Sequence, residues 1–234
     1  SQHKKTIISL EQFKKTVKYF IRQGGIEELS ISGGEPFLHP DLFEMIKFSK
    51  ENGIKTVVFT SGIKNSTQMP KEIIEYIKNK CKSDLQEIEE HEPWNDRLKK
   101  SIMAHYNRIL KPERFTSITR QECEELKELG LDKIVFDWQA LDGIIDNELM
   151  GRKGLNTYLM DSLIRARKVG LNIDVHFIPM KPNYKEFPDI IECLEYLDVK
   201  NISVLNFVPQ GRGKQNKEKL MLNEEELREF SEIL

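Results

Sequence analysis

The sequence predicts an α/β domain built on a buried parallel sheet. Three observations carry that expectation. Helix-like and strand-like segments alternate along the chain. The segments joining them are short, which suits right-handed crossovers between parallel strands. Thr56-Val57-Val58-Phe59-Thr60 is a continuous β-branched and aromatic run, as expected of a strand covered on both faces.

The first element is a helix from Ser9 to about Gln23. Ser9 is a natural N-cap with Gln12 at the capping-box position, and Gly24-Gly25 ends it. Phe13, Val17, Phe20 and Ile21 share one face and are expected to be buried. A short strand, Glu28 to Ser32, stops at Gly33-Gly34. Pro40-Asp41 opens a second helix with the apolar face Leu42, Met45, Ile46 and Phe48, closing at Asn52-Gly53. The strand at 56–60 then stops at Ser61-Gly62.

From about 66 to 117 the alternation breaks into charged helical segments, Lys71 to Ile88 and Asn95 to Leu110. These read as a helical insertion whose Trp94, Tyr106 and Phe115 are expected to pack onto the main domain; composition does not separate a lid from a partner-binding module. The alternation resumes with a helix at Thr119 to Leu129 and a strand at Lys133 to Trp138. A loop follows, holding Asp142-Gly143 and the Gly151-Arg152-Lys153-Gly154 turn. Next come a helix at Thr157 to Val169, a strand at Asn172 to Ile178, and a helix at Phe187 to Leu197. A fifth strand, Ile202 to Val208, runs into Pro209-Gln210-Gly211-Arg212-Gly213, and Asn223 with Glu226 caps a last helix.

The charge balance gives no general attraction to polyanions. Thirty-six Lys and Arg face 38 Asp and Glu, a net charge of −2. No apolar run approaches the roughly 20 residues of a membrane span. The first ten residues lack a signal-peptide core, so a cytoplasmic protein is expected. Cys81, Cys123 and Cys193 are too far apart for a sequence-local metal motif and read as reduced thiols.

In folds of this class, ligands sit at the carboxyl ends of the strands. Those ends carry Gly33-Gly34-Glu35, Thr60-Ser61-Gly62, Asp137 to Gln139, Pro179 to Lys181, and Pro209 to Gly213. Paired glycines let backbone approach a ligand, Glu35 adds a carboxylate, and Pro36 stiffens the exit. A plain strand-to-helix turn with Glu35 in solvent is the competing reading. In either case the turn is expected to rest on its glycines, leaving the carboxylate dispensable for folding.

Ser32-Gly33-Gly34-Glu35-Pro36-Phe37-Leu38-His39-Pro40-Asp41-Leu42 resembles the glycine-glycine-glutamate motif of radical S-adenosylmethionine (radical SAM) enzymes. Thr60-Ser61-Gly62, Met180-Lys181, Asn183 and the segment from Asn206 to Gly213 are similar to the branch with peptide-maturing and molybdopterin-type members. The resemblance covers nearly all of residues 1–234 except the insertion at 66–117. It implies a partial (β/α)6 TIM-like barrel whose first strand and cluster loop are missing from this sequence, with the insertion after the family's third strand.

The resemblance also implies a [4Fe-4S] cluster and S-adenosylmethionine, whose reductive cleavage gives a 5′-deoxyadenosyl radical that abstracts a substrate hydrogen. Gly33, Gly34 and Glu35, with Pro36 behind them, would hold the methionine amine. Ser61 would lie near the nucleoside, Asp137 or Gln139 would bond the ribose, and Val208 and Pro209 would meet adenine. Many relatives carry Ser where Asp137 stands, and capping the next loop is its alternative. Arg152 would reach the methionine carboxylate in place of an Arg that many relatives have near Met150, or be a solvated loop charge. His176 would face the barrel interior, or be an ordinary core residue; Arg212 would meet an anion, or be a surface charge.

The family's Cys-x3-Cys-x2-Cys loop is absent, and its cysteines are expected before Ser1. The expected function is therefore a radical SAM enzyme core served by an external electron donor. A peptide or protein substrate is expected first, with a small molecule or RNA left open. The alternative is a cluster-free regulatory protein that binds S-adenosylmethionine or a nucleotide on the same scaffold. A phosphate-binding barrel using Gly211-Arg212-Gly213 is a third reading.

Overall fold

The computed structural model describes residues 7–66, 71–110 and 114–234. Two compact units emerge: residues 1–64 with 117–234, and residues 65–116.

In the larger unit, helix α1 (Leu10–Gln23) leads to strand β1 (Glu28–Ile31), α2 (Leu42–Glu51) to β2 (Lys55–Thr60), and α5 (Arg120–Glu128) to β5 (Lys133–Asp137). Helices α6 (Gly143–Met150) and α7 (Asn156–Val169) precede β6 (Ile173–Phe177), and α8 (Phe187–Tyr196) precedes β7 (Asn201–Val204). The short helices α9 (Arg212–Gln215) and α10 (Lys217–Leu220) and the longer α11 (Glu224–Ile233) follow. Between β2 and α5 lie β3 (Ile63–Ser66), α3 (Lys71–His91), α4 (Asp96–Ile109) and β4 (Arg114–Ser117).

The main sheet has the order β1-β2-β5-β6-β7, with every neighbouring pair parallel. Sequential order and a helix between successive strands make an open barrel segment. Register sorts the side chains onto two faces. Ile31 pairs with Val58, Val58 with Ile134, and Ile134 with Ile173. This row faces the helices: Ile31 and Leu29 pack against Phe13, Val17, Met45, Phe48 and Ile54. Fully burying such a side chain stabilises by roughly 1.5–3 kcal/mol. Phe177, on the same face, stacks with Phe187 and Phe230 at 5.2 and 6.4 Å, which seats α8 and α11.

The opposite face is polar. Phe59 pairs with Val135, Val135 with Asp174, and Asp174 with Asn201; one row further, Asp137 pairs with His176 and His176 with Ser203. Lys133 Nζ lies 2.5 Å from Asp174 Oδ2, and Asn201 donates to the other oxygen of Asp174. A concavity of about 530 Å³ opens here, lined by Val57, Phe59, Lys133, Val135, Asp174 and His176 among others.

Three capping boxes start α1, α5 and α11, at Ser9–Gln12, Thr119–Glu122 and Asn223–Glu226. Four expectations need correction. Phe20 and Ile21 are 50% and 36% exposed, because the cover that Phe13 and Val17 find on α2 stops short of the last turn of α1. The loop after β5 contains α6, whose N-cap Asp142 accepts from Ile144 and Ile145. Strand β7 ends at Val204, so Val208 and Pro209 lie beyond the sheet. Short strands β3 and β4 form a two-stranded sheet, where only helices were expected between 66 and 117.

In the smaller unit, α3 and α4 form a hairpin. Tyr106 donates to Asp84, and Lys80 pairs with the same carboxylate. Trp94 is 78% exposed at the hairpin turn, so it does not serve as a packing anchor; Tyr106 spends its hydroxyl inside the hairpin.

Candidate functional site

The carboxyl ends of β1 and β2 meet at Glu35. Gly33 has φ +149°, a region that disfavours side chains, and a Cβ at Gly33 or Gly34 would have no atom within 4 Å. Backbone there is open to an approaching ligand. Pro36 starts a single 3-10 turn, Pro36–Leu38, and is itself buried.

Glu35 is built into this turn rather than left in solvent. Its Oε1 accepts from the Phe37 N–H at 3.2 Å and the Thr60 hydroxyl at 2.7 Å. Its Oε2 accepts from the Ser61 N–H at 3.0 Å and the Ser61 hydroxyl at 2.6 Å. A carboxylate has about four lone-pair directions, so these four donors occupy its ordinary capacity. The expectation that the turn rests on its glycines alone is therefore corrected: the carboxylate ties β1 to β2. The hydroxyl of Ser61, expected near a nucleoside, is engaged with Glu35.

His39 fastens the same turn to the entrance of α1. Its Nε2 lies 2.8 Å from the Ile8 carbonyl, and its Nδ1 accepts from the Asp41 N–H at 3.0 Å. With Nδ1 accepting, the ring is the neutral tautomer that donates from Nε2.

Beyond Ser61 the chain turns through Gly62, at φ +70°. A Cβ there would lie 3.0 Å from Leu159 and 3.1 Å from Phe136. The Gly62 carbonyl accepts from the buried Ser162 hydroxyl at 2.5 Å, and that oxygen also accepts from the Ile118 N–H at 2.8 Å. One side chain of α7 thus holds the chain just before and just after the segment containing the hairpin.

Asp137 and His176 stand side by side on the polar face of the sheet, Oδ1 to Nδ1 at 3.8 Å, and His176 lines the concavity. His176 also lies against Phe59, with ring centroids 5.2 Å apart. Half of the Asp137 side chain reaches solvent. Partial desolvation raises its pKa, His176 opposes the rise, and the charge of Glu35 adds to it.

Gln139 is committed to structure. Its side-chain oxygen accepts from the Ile178 N–H at 2.9 Å, while its carbonyl accepts from Asn183 Nδ2. Asn183, fully buried, also bonds Ile178 O and the Met180 N–H, knotting the ends of β5 and β6. Arg152 sits exposed in the turn after α6. Val208 is 63% exposed, and Pro209 lies beside it in the irregular segment after β7. The side chain of Arg212 lies outside the described residues.

The structure thus brings together Gly33, Gly34, Glu35, Pro36 and Ser61, and separately Asp137 and His176. Thr60, read in the sequence only as part of the Thr60-Ser61-Gly62 strand end, bonds Glu35, and Ser162, not singled out by sequence, bonds the next glycine, Gly62. Thr60 ends a strand and flanks the strand-end glycine, the one sequence signal it offers.

A metal centre does not form among the described residues: no group of three or more His, Cys, Asp and Glu is placed to hold an ion. Cys81, Cys123 and Cys193 stand on α3, α5 and α8. Burial pushes the Cys123 thiol up to about 11 and raises that of Cys193, the reverse of what a metal-binding thiolate needs. No helix among the described residues is long and apolar enough to cross a membrane.

Residues 1–83 match the Radical SAM superfamily model. The chain is 24% identical over 203 residues to Fe-coproporphyrin III synthase of Methanosarcina barkeri, covering 86% of this chain and 36% of that protein. It is 18% identical over 227 residues to PqqA peptide cyclase of Bradyrhizobium diazoefficiens, covering 97% and 46%. The chain therefore spans less than half the length of either relative. Among solved structures it superposes on Streptococcus suis SuiB bound to S-adenosylmethionine with a TM-score of 0.62 at 15% identity, covering 99% of this chain and 41% of SuiB. Native anSMEcpe with bound AdoMet gives 0.56 at 12% identity, covering 88% and 45%. The family match lies across the Gly33-Gly34-Glu35 turn, and the solved structures share the fold along the sheet.

Proposed function

We propose that this chain is the S-adenosylmethionine-binding core of a radical SAM enzyme that modifies a peptide or protein. The observation that carries the reading is the open Gly33-Gly34 backbone beside a carboxylate fixed at the carboxyl ends of two parallel strands. The donor set suits the ligand. Glycine carbonyls and Glu35 face an ammonium, and the exposed Val208-Pro209 segment offers apolar contact to adenine. Asp137, its pKa raised by partial desolvation, would gain from a ribose hydroxyl as a hydrogen-bond partner. Arg152 is assigned the methionine carboxylate and His176 the interior wall of the site.

The cluster is assigned to ligands outside the described residues, because Cys123 and Cys193 are held as thiols by burial. When bound, it supplies the electron that cleaves the sulfonium, drawn from an external donor. The protein's own residues bind and orient the cofactor and exclude water. The peptide assignment draws on relatives whose names state such substrates: PqqA peptide cyclase, and SuiB, which has been solved with the precursor peptide SuiA. Action in the cytoplasm, and residues 66–117 as an insertion within the core, belong to the same proposal.

The test is anaerobic reconstitution of the full-length protein with iron and sulfide. Cluster absorbance and reductant-dependent formation of 5′-deoxyadenosine are expected; absence of both overturns the enzyme reading. A cluster-free S-adenosylmethionine-binding protein on the same scaffold is the second reading. It is supported if S-adenosylmethionine binds and stays intact.

A further inference from the structure

We infer that Thr60 is a positioning residue: it aims the Glu35 carboxylate at the ligand's ammonium while touching no ligand itself. The inference rests on the proposed ligand, S-adenosylmethionine, and extends it to a residue beneath the site.

Thr60 is 1% exposed at the last position of β2, so its hydroxyl is out of a ligand's reach. That hydroxyl accepts the Gly62 N–H at 2.9 Å. Its own hydrogen is then directed to Glu35 Oε1, 2.7 Å away. A free hydroxyl would rotate among partners; this one is fixed from the far side by a backbone donor, at a glycine whose turn is itself fixed. Gly62 has φ +70°, is crowded by Leu159 and Phe136, and has its carbonyl held by Ser162. Rigidity therefore passes from the packed interior through Gly62 and Thr60 to one carboxylate oxygen. The other oxygen is held by Ser61.

The geometry separates two kinds of donor. Phe37 belongs to the turn and Ser61 follows the strand, whereas Thr60 is the last residue of β2 and is 1% exposed. Charge-assisted hydrogen bonds of this length are strong and directional. A carboxylate anchored in this way keeps its negative charge beside the open backbone of Gly33 and Gly34, where it attracts a cation although its lone-pair directions are taken. Preorganising a charged group in this way removes the cost of ordering it when a ligand arrives.

The experiment compares wild type, Thr60→Val and Thr60→Ser by calorimetry, with two probes: S-adenosylmethionine, and 5′-methylthioadenosine, which has the nucleoside but no amino-acid portion. Loss of one hydrogen bond to a charged group should weaken S-adenosylmethionine binding about tenfold in Thr60→Val. Thr60→Ser, which keeps the hydroxyl, should restore it to within about threefold. Methylthioadenosine should bind all three proteins alike. Unchanged S-adenosylmethionine affinity in Thr60→Val overturns the inference. So does an equal loss for both probes, which would mark a general loosening of the fold.

Hydrogen exchange on the ligand-free chain gives an independent arm. Thr60→Val should speed exchange of the Phe37 and Ser61 amides, which donate to Glu35, while the β5 amides keep their rates. Unchanged Phe37 and Ser61 rates overturn the positioning role whichever ligand is right. If the wild-type chain binds neither probe, the proposed ligand fails; accelerated exchange would then still support Thr60 as the residue that positions Glu35.

Discussion

The sheet unit and the inserted hairpin are held together by different physics. The sheet unit buries Phe136, Trp138, Phe177, Leu42, Ile46, Ile134 and Leu163 at under 2% exposure. In the hairpin, Ile88 is the one hydrophobic side chain classed as buried among the described residues, while Tyr76, Trp94, Leu98 and Met103 are exposed. The hairpin leans instead on polar pairs: Lys80 with Asp84, Tyr106 with Asp84, and Lys99 with Glu89. Exposed pairs contribute little each, and salt screens them. The contrast teaches where stiffness is needed. The sheet fixes polar groups at its carboxyl ends to within hydrogen-bond tolerance, which a packed core can do and a charged hairpin cannot.

That contrast is breakable. The largest effect is expected from Phe136→Ala, which should cost about 3–5 kcal/mol of sheet-unit stability in denaturant titrations. A loss below ~1 kcal/mol would mean that the sheet core is not the main source of stability. Gly62→Ala comes next, at about 1–3 kcal/mol, from a positive φ with a Cβ in contact on two sides. It should also weaken S-adenosylmethionine binding, since Gly62 fixes Thr60.

The acids give a smaller and sharper comparison. In the sheet unit, burial raises the pKa of Asp146 and Glu186, each with one carboxylate oxygen unpartnered. In the hairpin, hydrogen bonds from Tyr106 and Lys80 lower that of Asp84. An acid raised on folding favours the fold below its unfolded value, about 4. That contribution is lost as pH rises through the folded value. An acid lowered on folding behaves oppositely: its contribution is present above the unfolded value and lost as pH falls through the folded one. Acidification from neutral pH should therefore remove the Asp84 contribution and speed exchange of the hairpin amides around it. Asp146→Asn should stabilise the sheet unit at neutral pH, where the wild-type residue would have to bury a charge; an unchanged or lower melting temperature would count against it. The smallest effect is expected from Lys80→Ala, a hairpin loss that disappears in high salt.

Much of the sheet was legible because its signals are local and redundant. Ser9, Thr119 and Asn223 each carry the capping partner three residues on. The run at 56–60 has no polar alternation to confuse it with a surface strand. Helix α6 was illegible for the opposite reason: Gly143-Ile144-Ile145 looks like a turn followed by an apolar stretch, and its start depends on Asp142 bonding two backbone amides. The two-stranded β3–β4 pairing joins segments some 50 residues apart and leaves no periodic trace.

At the site, glycines and a carboxylate at strand ends could be read directly. What Glu35 does there could not, because its partners Thr60 and Ser61 lie 25 and 26 residues away and register alone brings them near. Gln139 shows the same limit: its side-chain oxygen accepts from the Ile178 N–H, 39 residues downstream.

The double hydrogen bond of Ser162 to Gly62 and Ile118 bears on how such a domain can change over time. A chain clamped at both feet has already met most of the cost of closing whatever lies between. For a flexible segment, doubling its length adds only about 0.6 kcal/mol. A sheet with this clamp can exchange one intervening segment for another, shorter or longer, without retuning its own core. The intervening segment can thus diverge quickly while the strand-end turn at Glu35 stays as it is.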